Sequence, residues 1–89
     1  MDIEKKIEQK IKAQINVEHF ELINESDKHQ HHPNRESGGH FVITVVSSDF
    51  NGLSRIERQR KIFNFLKEEL KQEIHALSMQ LYDISEWKK

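Results

Sequence analysis

The 89-residue sequence contains no cysteine. This absence excludes disulfide bridges, thiol catalysis and Cys-ligated zinc sites, because each requires a thiol or thiolate. The sequence also has no apolar run long enough to cross a membrane and no segment with the basic and apolar regions of a signal peptide. We therefore expect a soluble, cytoplasmic protein that does not associate with membranes.

The sequence also has no excess of positive charge, since 14 Lys and Arg residues face 15 Asp and Glu residues. A dedicated nucleic-acid module usually has a strongly basic balance, so DNA binding here would depend on a local patch. None of the common motifs of hydrolases, metalloproteases or nucleotide-binding proteins occurs. The chain length predicts a single domain over residues 1–89, and the missing motifs predict that it is not an enzyme.

Regular spacing of apolar residues predicts the first helix and the strands. Isoleucines recur every four residues over 2–15, behind Asp2 as a helix N-cap. Residues 17–25 and 41–46 alternate or are β-branched, which predicts two strands. Leu77, Met79 and Leu81 alternate with polar residues and predict a third strand.

A long helix is expected between the second and third strands. Ser54 and Glu57 have the spacing of a capping box, and the helix is expected to end near 71–73, with a kink near Gln59. Its predicted buried face consists of Ile62, Phe63, Leu66 and Leu70. Trp87 is expected to pack back on the core.

These elements predict an α+β fold in α-β-β-α-β order, a two-layer sandwich of helices on a three-stranded mixed sheet. The first two strands should form an antiparallel hairpin. The third, reached through a helix, should lie parallel to one of them by a right-handed crossover.

Six histidines are unusual in a chain of this length, and four of them lie at 29, 31, 32 and 40. Imidazole is a common metal ligand, so His29, His31, His32 or His40 could hold a metal. From the residues alone, a solvated polar loop is the simpler interpretation. His75 stands apart, and the corresponding simple interpretation is a helix-end histidine stabilised by the helix dipole.

Four cations lie close together at the start of the long helix: Arg55, Arg58, Arg60 and Lys61. They predict either a solvated helix face or a contact with phosphate or an acidic partner. Cations at a helix N-terminus oppose the helix dipole, which favours a binding role.

Several short segments in this order resemble the BolA-like family over nearly the whole chain. They are Asn24-Glu25-Ser26 with His29, Gly39-His40-Phe41, Phe50-Asn51-Gly52 with Arg58-Gln59-Arg60, Glu68-Glu69-Leu70 with Ile74-His75-Ala76-Leu77, and Glu86-Trp87. Gln59 departs from the family's usual histidine, and the segment from His29 to His40 is about two residues longer than usual.

The resemblance implies a fold like the class II KH domain, without the GxxG loop of nucleic-acid-binding KH domains. It further implies a monothiol glutaredoxin partner and a [2Fe–2S] cluster shared with that partner and glutathione, not held by the isolated chain. His75 would be the fixed ligand and His29 the loop ligand, with His40 as the main competitor.

Some bacterial members of the family are described as DNA-binding regulators of morphology and stress response. The alternative function is therefore DNA binding through the region from Gly52 to Lys61, which includes Arg55, Arg58 and Arg60. A weak homodimer is a further association that the sequence leaves open.

Overall fold

The computed structural model describes residues 2–25 and 39–88. Its elements follow the predicted order, with the long helix divided in two and a short helix added at the carboxyl end. In chain order they are α1 (Ile3–Gln14), β1 (Val17–Asn24), β2 (Gly39–Ser47), a 3₁₀ turn (Ser48–Phe50), α2 (Arg55–Phe65), α3 (Lys67–Gln72), β3 (Ile74–Tyr82) and α4 (Ile84–Trp87).

The three strands form one mixed sheet in the order β1-β2-β3. β1 pairs antiparallel with β2, and β3 pairs parallel with β2, as the sequence predicts. Parallel neighbours need a crossover connection, which α2 and α3 supply. Within the described ranges, no helix combines the length and the apolar character that a membrane crossing needs.

The core lies between the helices and one face of the sheet. Ile7 and Ile11 of α1 are fully buried, and Asp2 caps that helix by accepting a hydrogen bond from the Glu4 N–H. The alternating apolar residues of the outer strands pack against the core, whereas Ile23 on the opposite face is 54% exposed. They are Phe20, Leu22, Leu77, Met79 and Leu81. The core cluster comprises Ile7, Ile11, Phe41, Ile43, Val45, Phe50, Ile62, Leu66 and Ile74.

The long helix differs from the prediction in two ways, although its capping box at Ser54 and Glu57 is confirmed. The helix continues through the position of Gln59 and breaks at Leu66, where φ is −108° and ψ is 18°. The spacing of apolar residues does not reveal this break. Backbone hydrogen bonds of the helical i to i−4 type continue on both sides of Leu66, so the side chains keep the helical period.

The prediction that Phe63 is buried is wrong, since it is 43% exposed. The buried face of α2 runs through Arg58, Ile62 and then Leu66, at intervals of four residues. Phe63 follows Ile62 by one position, which rotates its side chain by about 100° away from that face.

The position of Trp87 also differs from the prediction. Its ring lies 4.8 Å from that of His19 and 5.7 Å from that of Tyr82, measured between centroids, and it remains 41% exposed. His19 alternates with the core-facing Phe20, so it lies on the sheet face opposite the core. Trp87 therefore packs on the open side of the sheet and not on the core.

Candidate functional site

His75 lies at an irregularity in the pairing of β2 with β3. Gly39 pairs with Ile74, and the next residue, His40, pairs with Ala76. β3 thus advances by two residues where β2 advances by one, which leaves His75 as the additional residue. Such bulges redirect a side chain relative to the regular alternation of a strand.

This irregularity brings the rings of His40 and His75 together at one end of the sheet. Their centroids are 5.0 Å apart and their planes are tilted by 34°. His75 is exposed and His40 is half-buried. Within residues 2–25 and 39–88, no third His, Cys, Asp or Glu joins them to make a metal-binding group of three.

Backbone hydrogen bonds hold the chain on either side of His40. The Gly39 N–H donates to the Glu73 carbonyl at 3.0 Å, and the Glu25 N–H donates to the His40 carbonyl at 2.8 Å. The first bond links β2 to the residue that precedes β3, and the second links it to the end of β1. The pair of imidazoles, which we call the histidine pair, therefore stands on backbone connected across all three strands.

Side chains of α1 reinforce the same end of the molecule. The Lys6 ammonium lies 2.9 Å from the Glu73 carboxylate, and the Asn24 amide donates to the Glu4 carboxylate at 2.8 Å. The hydrogen bond to Glu73 raises the pKa of Lys6 above its usual value. α1 thus contacts both chain segments that lead to the histidine pair.

His29, His31 and His32 lie outside the described residues. The assignment of His29 as the loop ligand therefore stays a prediction, whereas the proximity of His40 to His75 is an observed feature.

The four predicted cations of α2 do not share one surface. Arg55, Arg60 and Lys61 are exposed, and Arg58 is buried. Gly52, in the preceding turn, is exposed and has φ of +79°, a left-handed conformation that glycine adopts without steric cost.

The Arg58 guanidinium is engaged within the fold. Its Nε donates to the Leu53 carbonyl at 3.0 Å, and its Nη1 donates to the Leu81 carbonyl at 3.0 Å and to Glu86 Oε1 at 2.7 Å. Its Nη2 lies 3.6 Å from Asp83 Oδ2. Arg58 thus joins the start of α2 to the end of β3 and to α4.

The carboxylates beside Arg58 respond to these contacts. The hydrogen bond from Arg58, followed by one from the Asp83 N–H, lowers the pKa of Glu86. A hydrogen bond from the Glu86 N–H, with another from the Ser85 hydroxyl, lowers the pKa of Asp83. Asp83 and Glu86 also form a second capping box, which the Asp-x-x-Glu spacing could have indicated.

Sequence reasoning also missed an exposed apolar pair on α2. Ile56 is 57% exposed and Phe63 is 43% exposed. Seven residues correspond to nearly two helical turns, so both side chains lie along one face of the helix. Arg60 lies between Ile56 and Phe63 in the sequence and is also exposed, so the three residues form a mixed apolar and cationic surface on α2.

Comparisons with known proteins agree on one family. Residues 11–86 match the model of the BolA-like protein family. The chain is 42% identical over 88 residues to the DNA-binding transcriptional regulator BolA of Haemophilus influenzae, covering 99% of this chain and 84% of that protein. It is 41% identical to BolA-like protein 1 of Bos taurus, covering 97% of this chain and 62% of that longer relative.

The fold gives the same result. The solution structure of BolA1 protein from Mus musculus superimposes with a TM-score of 0.81 and 35% identity, covering 99% of this chain and 70% of the mouse chain. The superposition covers the helices as well as the mixed sheet. The region matched by the family model, residues 11–86, includes both members of the histidine pair. On these grounds the chain belongs to the BolA-like protein family.

Proposed function

We propose that this protein is a non-enzymatic, cytoplasmic adaptor that binds a monothiol glutaredoxin and shares a [2Fe–2S] cluster with it. Its role would lie in iron–sulfur trafficking or in iron and redox regulation. The observation that carries this proposal is the histidine pair in a chain without cysteine.

The donor set of this chain fits a shared cluster better than a self-contained one. [2Fe–2S] clusters are usually held by Cys thiolates, but two histidines can replace two cysteines on one iron. This chain offers imidazoles and no thiolates. The remaining ligands must then come from other molecules, and a glutaredoxin cysteine with glutathione supplies thiolates of the required kind.

His75 would be the fixed ligand from this chain. Its backbone is held in β3, beside backbone bonded to the start of β2, whereas His29 is assigned to the loop. The second imidazole would come from His29, as the resemblance implies, or from His40, which contacts His75. When bound, the cluster would supply electron transfer and transferable iron and sulfide, whereas this chain binds and orients it.

The test combines the protein with a monothiol glutaredoxin, ferrous iron, sulfide and glutathione. We expect visible absorption and circular dichroism that require both proteins. His75→Ala should change the visible dichroism and weaken cluster retention, while far-ultraviolet dichroism shows that the apo variant stays folded.

His19→Ala is the matched control, because His19 stacks on Trp87 and takes no part in the histidine pair. A His75→Ala complex with the spectrum and cluster retention of the wild type would remove His75 from the proposed ligands.

DNA binding is the second candidate function. Its support is the name of the Haemophilus influenzae relative, a DNA-binding transcriptional regulator, together with the exposed Arg55, Arg60 and Lys61 of this chain. Such cations can bind phosphates through charge alone. Against this candidate, the net charge of the chain is −1, so the protein as a whole offers DNA no general electrostatic attraction.

A further inference from the structure

We infer that Asn51 is a site of spontaneous deamidation, at which the backbone nitrogen of Gly52 is the nucleophile and water is the co-reactant. The products are aspartate and isoaspartate in the turn that precedes α2. This inference goes beyond the proposed function, since it requires neither a glutaredoxin nor an iron–sulfur cluster.

The sequence distinguishes Asn51 from the other asparagines of the chain. It is the one asparagine that is followed by glycine. A side chain on the following residue crowds the attack of that residue's nitrogen on the asparagine amide, and glycine has no Cβ to do so. The other asparagines precede residues that carry side chains, namely Val17, Glu25, Arg35 and Phe65.

Asn51 and Gly52 form the corner of a type II turn at the surface. Asn51 has φ of −57° and ψ of 130°, and Gly52 has φ of +79°, which are the central angles of this turn type. One backbone hydrogen bond closes the turn, from the Leu53 N–H to the Phe50 carbonyl at 3.1 Å. Both corner residues are exposed, so water reaches each reacting group.

The reacting groups themselves are not held by the fold. Among residues 2–25 and 39–88, no hydrogen-bond partner fixes the Asn51 side-chain amide or the Gly52 N–H. At a ψ of 130° the Gly52 nitrogen lies away from the Asn51 Cβ, so ring closure needs rotation about the Cα–C bond of Asn51. This rotation opens the turn at the cost of its one closing hydrogen bond, and it uncovers no buried side chain of the two corner residues.

The reaction needs no oxidant, reductant or enzyme. The Gly52 nitrogen loses its proton and forms a bond to the Asn51 Cγ, and the side-chain amide leaves as ammonia. Water then breaks one of the two C–N bonds of the resulting cyclic imide. Cleavage at Cγ leaves aspartate, whereas cleavage at the Asn51 backbone carbonyl leaves isoaspartate, in which the backbone runs through the side chain. Overall, one water is consumed and one ammonia is released.

The two products differ in their effect on the fold. Phe50, on one side of the turn, is fully buried, and the Leu53 carbonyl, on the other side, accepts a hydrogen bond from Arg58 Nε at 3.0 Å. Isoaspartate adds a backbone carbon between these two anchored residues, so it should loosen the contact with Arg58. Aspartate keeps the backbone unchanged and places a carboxylate before the N-terminus of α2, where the helix dipole favours negative charge.

The experiment incubates the full chain at neutral and at mildly alkaline pH and follows each asparagine by peptide mapping with mass spectrometry. We expect Asn51 to lose its amide while Asn16, Asn24 and Asn64 keep theirs. The loss should be faster at the higher pH, because the attacking nitrogen must be deprotonated. A protein isoaspartyl methyltransferase should methylate the incubated chain and not the fresh one.

Asn51→Gln is the matched control, because its longer side chain keeps the amide but must close a six-membered ring. This variant should keep its amide and should not become a methyl acceptor. An intact Asn51 in the wild type, or equal amide loss at Asn16, Asn24 or Asn64, would overturn the inference.

The consequence for the fold is measured on the isoaspartyl chain after separation by ion exchange. Its melting temperature should fall by roughly 4–8 °C, the shift expected when a domain of this size loses about one hydrogen bond. Asn51→Asp, which has the same charge and a normal backbone, should keep the wild-type melting temperature. Equal melting temperatures of the isoaspartyl chain and Asn51→Asp would overturn the link between this turn and Arg58.

Discussion

Arg58 in α2 and Glu86 in α4 form a 2.7 Å ion pair that ties the carboxyl-terminal helix to the body of the fold. The same guanidinium also binds the carbonyls of Leu53 and Leu81. One buried side chain thus satisfies backbone acceptors from two segments and a carboxylate from a third. This arrangement assigns Arg58 a structural role that its neighbours in sequence do not share.

Arg58→Ala should therefore destabilise the protein, whereas Arg60→Ala should not. Loss of the hydrogen bonds to two carbonyls and one carboxylate is expected to cost roughly 2–3 kcal/mol. For a domain of this size, that loss lowers the melting temperature by roughly 8 °C or more. Arg60 is exposed, so its removal should change stability by less than about 0.5 kcal/mol. Thermal and urea unfolding of the two variants measure this difference, and equal effects would contradict the structural role of Arg58.

Acid should weaken the attachment of α4. The pKa values of Glu86 and Asp83 are lowered in the folded chain from their usual 4.5 and 3.8. A carboxyl group whose pKa is lowered by folding stabilises the folded state fully at pH values above its usual pKa. This stabilisation is lost as the pH falls through the lowered pKa of the folded state. We expect Glu86→Gln to lose part of this dependence on pH in the acid range.

Denaturant titrations between neutral pH and pH 3 measure this effect, with Trp87 fluorescence reporting on α4. Glu68→Gln, on the exposed side of α3, is the matched control and should retain the wild-type profile. A wild-type profile in Glu86→Gln would exclude this carboxylate as a source of acid sensitivity.

Within the shared cluster, His29→Ala should perturb the visible dichroism more than His31→Ala or His32→Ala. The reason is the spacing of His29 from Asn24-Glu25-Ser26, which keeps the pattern of the family. His40→Ala, measured in the same complex, tests the competing ligand. Negligible effects from all four substitutions would indicate that the second imidazole is not supplied by this chain.

If the protein binds duplex DNA, the exposed cations of α2 should account for its salt dependence. Replacing Arg55, Arg60 and Lys61 by glutamine removes up to three phosphate contacts. At ~0.9 per contact, the slope of log affinity against log salt should fall by at most about 2.7. Lys5→Gln on the exposed side of α1 is a control for the loss of charge alone.

We expect wild-type affinity in the non-specific range of ~10⁻⁴–10⁻⁶ M at physiological salt. Sequence-selective nanomolar binding, abolished by the triple substitution, would make DNA binding the leading function.

Local sequence patterns were sufficient to predict much of the fold. Isoleucines at intervals of four predict the stripe along α1, and alternation predicts β1 and β3, whose apolar residues pack on the core. The capping box at Ser54 marks the start of α2. These features are predictable because helix and strand periods are set by backbone geometry within a few residues.

The sequence by itself determined the order of the three strands, the core stripe of α1 and the donor chemistry, which is imidazole without thiolate. Tertiary structure alone decided that Arg58 turns inward, that Phe63 faces outward and that His40 meets His75. The physical reason is that these outcomes depend on contacts between segments distant in the chain. Two of the acceptors of Arg58, the Leu81 carbonyl and the Glu86 carboxylate, come from β3 and α4. The histidine pair forms because β3 has one additional residue in its parallel pairing with β2.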